Sequence, residues 1–121
     1  MKVKKVKVGI KDINSALAEF IGVSERLEQG KLVNKESGVY FTSFEAFRKA
    51  LTPKRLELLH MIKTGKPTSL SHLARMVKRD IKNVAVDVDY LVQIGLIEKK
   101  GKQKEVVPIV TYDHISLDIA V

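Results

Sequence analysis

At 121 residues and 45% hydrophobic content, the chain is long enough for one compact core burying roughly two-thirds of its unfolded surface, and too short for a second. It has no cysteine, which removes disulfides, thiolate nucleophiles and Cys-based zinc sites and leaves packing to stabilise the fold. The net charge of +8 is unevenly placed: residues 48–104 hold fourteen Lys/Arg against Glu57, Asp80, Asp87, Asp89 and Glu98, whereas residues 105–121 are net acidic. A localised positive field is what a polyanion-binding face needs.

The opening MKVKKVKVGIKD alternates lysine with valine, and the longest apolar runs are only a few residues. Neither a signal peptide nor a membrane span is expected, and the expected location is cytoplasmic. Val6, Val8 and Ile10 alternate with Lys5, Lys7, Gly9 and Lys11, the period-two pattern of a half-exposed strand near residues 3–10. Asp12 then caps an expected helix in which Ile13, Ala16, Leu17, Phe20, Ile21 and Leu27 recur at helical spacing up to Gly30. Lys31 to Gly38 reads as a polar loop, and Val39, Tyr40 and Phe41 as a short strand or extended lead-in.

Thr42 and Glu45 fit a capping box for a short helix that places Phe44, Phe47 and Leu51 on one face. Three of the four phenylalanines lie between 41 and 47, a pattern that reads as a packed aromatic cluster in preference to a base-stacking platform.

Thr52 as N-cap with Pro53 at the first helical position is a strong start signal, because proline lacks the N–H that would be unpaired there. Leu56, Leu58, Leu59, Met61 and Ile62 make the helix that follows apolar on more than one side, and Gly65 before Pro67 ends it. Ser69 caps LSHLARMV, with Leu70, Leu73, Ala74 and Val77 as a narrow stripe. After the short basic turn Lys78-Arg79-Asp80, Asp80 caps IKNVAVDVDYLVQI, which buries Ile81, Val84, Ala85, Val88, Leu91 and Val92 and is closed by Gly95. Leu96 and Ile97 begin a strand, Gly101-Lys102-Gln103-Lys104 forms a tip, and residues 105–112 return, with Pro108 at an edge or break of the ladder.

Helix, short helix, tight turn, longer helix and lysine-tipped hairpin are the order of a winged helix-turn-helix. The expected fold is α+β: this core over residues 52–112, an N-terminal strand-helix extension over 1–51, and a C-terminal strand over 113–121. On the outward side of the third helix stand Lys82, Asn83, Val86, Asp87 and Tyr90. Lysine can donate to guanine O6/N7 and asparagine can pair with adenine N6/N7, so Lys82 and Asn83 are the leading candidates for base contact. Val86 suits a thymine methyl, and Asp87 either accepts from cytosine N4 or orients Arg79. Ser69, Ser71, Arg75, Lys78 and Arg79 are candidate phosphate contacts at the positioning helix and turn. Lys100, Lys102 and Lys104 are candidate wing contacts.

The run LTPKRLELLHMIKTGKPTSLSHLARMVKRDIKNVAVDVDYLVQIGLIEKK resembles the winged-helix core of a group of small prokaryotic predicted transcriptional regulators within the MarR-like and ArsR-like superfamily. VYFTSFEAFRKALTPKR resembles the lead-in of the same group, some members of which are thought to act as antitoxin-type DNA-binding proteins. The likeness covers about residues 39–121. It implies operator binding to double-stranded DNA as a homodimer, repression or autoregulation, and a possible toxin or other protein partner. Where such recognition helices often carry Arg, Ser or His, this chain has Ala85 and Val86, which shifts the weight of specificity to Lys82, Asn83 and the wing.

At the C-terminus, Ile115, Leu117, Ile119 and Val121 alternate with Ser116, Asp118 and Ala120, a second half-buried strand. Lysines flank the first strand while Asp113 and Asp118 flank the last, so the two are expected to pair, within one subunit or across two. The expected homodimer uses the first long helix and one or both terminal strands. His60, His72 and His114 form no metal or triad spacing, and no phosphate-cradling glycine loop occurs. No enzyme activity, cofactor or metal is expected, and no constellation announces a ligand pocket. The alternative function is a winged-helix protein interaction module without specific DNA readout.

Overall fold

The computed structural model describes residues 4–11, 38–101 and 106–119. Among these the chain is mixed α and β, with four helices and with strands in two sheets. In chain order they are β1 (Lys5–Ile10), β2 (Gly38–Phe41), α1 (Phe44–Ala50), α2 (Pro53–Gly65), α3 (Leu70–Val77), α4 (Ile81–Gln93), β3 (Glu98–Lys100), β4 (Val107–Ile109) and β5 (His114–Ile119). The helix expected after Asp12, the wing-tip residues Lys102 and Lys104, and the ends of the first and last strands lie outside the described residues.

The chain divides into two compact units where composition led to an expectation of one core. One unit joins Lys5–Ala50 to His114–Val121, and the other comprises Leu51–Asp113 with Met1–Lys4. The first is assembled from both ends of the chain because β1 is the middle strand of a sheet ordered β2-β1-β5.

Both pairings of β1 are parallel. Val8 stands opposite Val39 and Leu117, and Ile10 opposite Phe41 and Ile119, so one face of the sheet is apolar throughout. The other face carries Lys7, Gly38 and Ser116, and Gly9 between Tyr40 and Asp118. The terminal strands therefore pair directly within one chain, and Lys7 Nζ meets Asp118 Oδ2 at 3.2 Å. On β5 the expected half-burial is not met: Ile115 is half-buried, but Leu117 and Ile119 are exposed, as befits an edge strand with a neighbour on one side only.

Gly9 is required by a close approach. A Cβ there would lie 2.7 Å from the Tyr40 ring on the neighbouring strand, over which Lys11 Nζ also stands at 4.9 Å. Phe41, Phe47 and Phe44 form the expected aromatic cluster, with centroid separations of 5.8 and 5.9 Å. The cap of α1 is Ser43 and not Thr42. The helix begins one residue later than expected, Ser43 Oγ accepts from Ala46 N, and Glu45 pairs with Arg48 in place of closing a capping box.

In the second unit the predicted caps hold α2, α3 and α4. Thr52 Oγ1 accepts from Arg55 N, Ser69 Oγ from His72 N and Asp80 Oδ1 from Lys82 N. Leu58, Leu59 and Ile62 of α2, Leu73 and Ala74 of α3, and Val84, Val88 and Leu91 of α4 are buried together with Leu96, Ile97 and Val110. Leu56 and Ile81, expected inside, are exposed.

The end of α2 departs from the expected glycine cap. Gly65 is still helical, and Lys66 takes the left-handed conformation at φ 47° and ψ 59°. A Cβ on Gly65 would meet the terminal methyl of Met76, the flexible end of a side chain that can move aside. Lys78 ends α3 in the same left-handed way, with its N–H donating to Arg75 O. Gly95, at φ +89°, does close α4 as expected, and Leu96 N and Ile97 N both return to Leu91 O. The antiparallel hairpin β3–β4 follows, with Lys99 opposite Pro108, the residue that has no N–H to give to a ladder.

Candidate nucleic-acid interface

The opening turn of α4 is set by Asp80, whose carboxylate holds Lys82 N at 2.8 Å. From that start the helix period buries Val84, Val88 and Leu91 completely and turns Lys82, Asn83 and Val86 to the surface. Val86 is 65% exposed, the most exposed of the large hydrophobic residues among those described. A valine, a lysine and an asparagine thus stand on one outward surface of a helix whose opposite side is fixed by the core.

Asp87 has a different role from its outward neighbours. Its Oδ1 accepts from Arg55 Nε at 3.1 Å and its Oδ2 from Arg79 Nη2 at 2.8 Å, with all three side chains less than one-fifth exposed. Both oxygens are engaged within the chain, so the expectation that Asp87 accepts from a base gives way to its alternative, the orientation of Arg79. The Arg55 guanidinium also lies over the Tyr90 ring at 4.1 Å, which draws Tyr90 into a half-buried position on a side expected to be open. One carboxylate therefore ties α2, the turn before α4 and α4 itself together. Within this clamp Arg79 Nη1 is buried without an acceptor.

The turn between α3 and α4 gathers four of the candidate phosphate residues around one open groove: Ser71, Arg75, Lys78 and Arg79, with Ala74 and Ile81 supplying its apolar part. Arg75, Lys78 and Ser71 are exposed, whereas Arg79 is held by Asp87. Ser69 is half-buried and its hydroxyl caps α3, as its position at the helix start predicts. On the hairpin, Lys100 is exposed at the end of β3, and Lys99 is drawn onto α4 by Asp89.

Sequence reasoning missed Arg55 and the contact that places its guanidinium over Tyr90. Arg55 precedes its carboxylate partner by 32 residues, and no local periodicity connects them. No group of three or more metal-ligating side chains occurs among the described residues, and no described helix is long and apolar enough to cross a membrane.

Burial clearly shifts the Tyr112 hydroxyl. Tyr112 is pushed up to about 12 by its half-buried position, and its hydroxyl donates to Leu96 O at 2.8 Å. This bond fastens the chain beyond the hairpin to the residue that follows the Gly95 turn.

Compared with known proteins, the chain matches no curated protein and no solved structure. The family model HVO_A0114 matches residues 50–117, more than half of its length and all of α2 to β4. The chain belongs to the HVO_A0114 family.

Proposed function

We propose that this protein is a sequence-specific double-stranded DNA-binding regulator whose α2–β4 segment is a winged helix-turn-helix, acting as a dimeric repressor or autoregulator. The observation that carries the reading is the outward surface of α4, where Lys82, Asn83 and Val86 are exposed on a helix anchored by three fully buried apolar residues. A helix presented in this way fits the major groove, with Lys82 and Asn83 in the opening turn that meets base edges.

The groove at the α3–α4 turn supports the same reading. Arg75 and Lys78 flank α4 as phosphate contacts would, and the Asp87 clamp fixes Arg79 beside them. Lys100, with Lys102 and Lys104, supplies the charge of the wing. Dimerisation is part of the proposal because one such helix buries too little surface for high specific affinity, and two half-sites related by protein symmetry supply the rest.

The test is electrophoretic mobility of DNA from upstream of the protein's own coding sequence, against random DNA, over a series of salt concentrations. A dimer making ~6–8 phosphate contacts shows log K falling by about 5–7 per unit of log salt, and prefers the upstream fragment. A flat salt dependence with no preference refutes the reading and favours a protein interaction module, to which exposed Val86 would then belong.

A further inference from the structure

A second concavity lies at the far end of α2, lined by none of the candidate DNA contacts. It is a cleft of about 540 Å³, within the ~300–1,000 Å³ range of small-molecule sites, bounded by the last turn of α2, the connection to α3 and strand β4. Its lining includes buried Ile62, Pro67, Pro108 and Val110 and is mainly apolar. Lys63 and Lys66 complete the lining.

These two cations differ. Lys63 Nζ shares its charge with Asp113 Oδ1 at 3.2 Å, whereas Lys66 is exposed. Lys66 is also where the backbone is strained: it is a non-glycine residue at φ 47°, and it precedes a proline, which disfavours helical conformations in the residue before it. The strain is held by Pro67, which is fully buried, so the backbone of Lys66 is held beside the cleft. An apolar concavity with cationic groups at it is complementary to a molecule with an apolar body and an anionic head.

We propose that this cleft is a binding site for a small amphipathic carboxylate, with its hydrocarbon part against Ile62, Pro67, Pro108 and Val110 and its carboxylate at Lys66 and Lys63. The assignment is independent of DNA binding, because none of these residues is a candidate nucleic-acid contact. It identifies a ligand site that the sequence did not announce, since its walls come from three segments with no shared spacing.

Titration of the full-length protein with octanoate, octanol and octylammonium, followed by methyl NMR and calorimetry, separates the contributions of tail and head. Saturable octanoate binding is expected with shifts at Ile62, Val107, Ile109 and Val110, about fivefold tighter than octanol, the worth of a partly exposed charge pair. Shortening the tail to hexanoate weakens binding on the order of tenfold, as expected for two methylenes leaving an apolar surface. Lys66→Glu reverses the preference between octanoate and octylammonium and leaves octanol unchanged. Lys66→Gly, which relaxes the left-handed backbone and so preserves the fold, removes most of the head-group preference. Equal affinity for the three head groups, shifts centred elsewhere, no binding of octanoate up to its solubility, or an unchanged preference in Lys66→Gly overturns the proposal.

Discussion

Asp87 Oδ2 lies 2.8 Å from Arg79 Nη2, so a residue of α4 fastens the turn that leads into its own helix, and its second oxygen extends the hold to Arg55 on α2. Neutralising the carboxylate leaves two poorly exposed guanidinium groups with a much weaker acceptor between them. Asp87→Asn is therefore expected to lower the unfolding free energy by about 1–3 kcal/mol, measured by urea denaturation. Asp89→Asn, which breaks the more exposed contact to Lys99, is the comparison and should cost about 0.5 kcal/mol or less. Equal losses in the two variants would show that the three-residue clamp is no more than a surface ion pair.

The proposed readout separates base contacts from phosphate contacts. Lys82→Ala removes an exposed side chain from the opening turn of α4 and leaves its backbone cap with Asp80 in place. Its expected effect is a change in preference among DNA sequences worth ~1–3 kcal/mol at one position. Lys102→Ala with Lys104→Ala, which removes four lysines from the dimer, is expected to weaken binding to all sequences alike and to reduce the salt slope by about 3–4. Binding assays against a randomised pool decide the matter: uniform losses for Lys82→Ala would remove α4 as the reader.

Tyr112 gives a pH-dependent signature. Its folded value, about 12, lies above the ordinary 10.0, so the neutral form is the one favoured in the native state. The stability it contributes is fully present below pH 10 and is lost as pH rises from there through 12. Tyr112→Phe should abolish the highest tyrosinate transition in an ultraviolet titration. It should also cost about 0.5–1.5 kcal/mol at neutral pH, because Leu96 O loses its donor. A titration curve unchanged by the substitution would contradict burial of this hydroxyl.

The features legible in the sequence are those whose causes are local. Thr52, Ser69 and Asp80 cap their helices because a side-chain oxygen reaches an N–H two or three residues on, a relation that spacing alone reveals. The alternation of Val6, Val8 and Ile10 likewise announced a strand. It did not announce that β1 would be central or that both its neighbours would run parallel to it, because period two is the same in either direction.

The candidate interface divides along the same line. Lys82 and Asn83 follow from helix phase, whereas the engagement of Asp87 by Arg55 depends on how α2 crosses α4, which no local pattern encodes. At Lys66 the sequence misled, since Gly65 beside it is the more usual left-handed residue. The lysine makes the turn, and the flexible Met76 end beside Gly65 does not by itself demand a glycine there.

Gly95 tests the remaining turn most directly. Its φ of +89° is unfavourable for any L-residue with a Cβ, yet a Cβ built there meets nothing within 4 Å. Substitution therefore isolates backbone strain from crowding. The turn is under load: Gly95 N bonds Val92 O, Leu96 N and Ile97 N both reach Leu91 O, and Leu96 and Ile97 are buried. Relaxing φ would withdraw both side chains from the core, so the strain is borne in preference. Gly95→Ala is expected to destabilise the protein by about 1–2 kcal/mol in thermal or urea unfolding. Gly95→Asn should recover part of the loss, because asparagine tolerates the left-handed region better than alanine. If alanine were neutral here, the hairpin would have to leave α4 by a backbone path other than this turn.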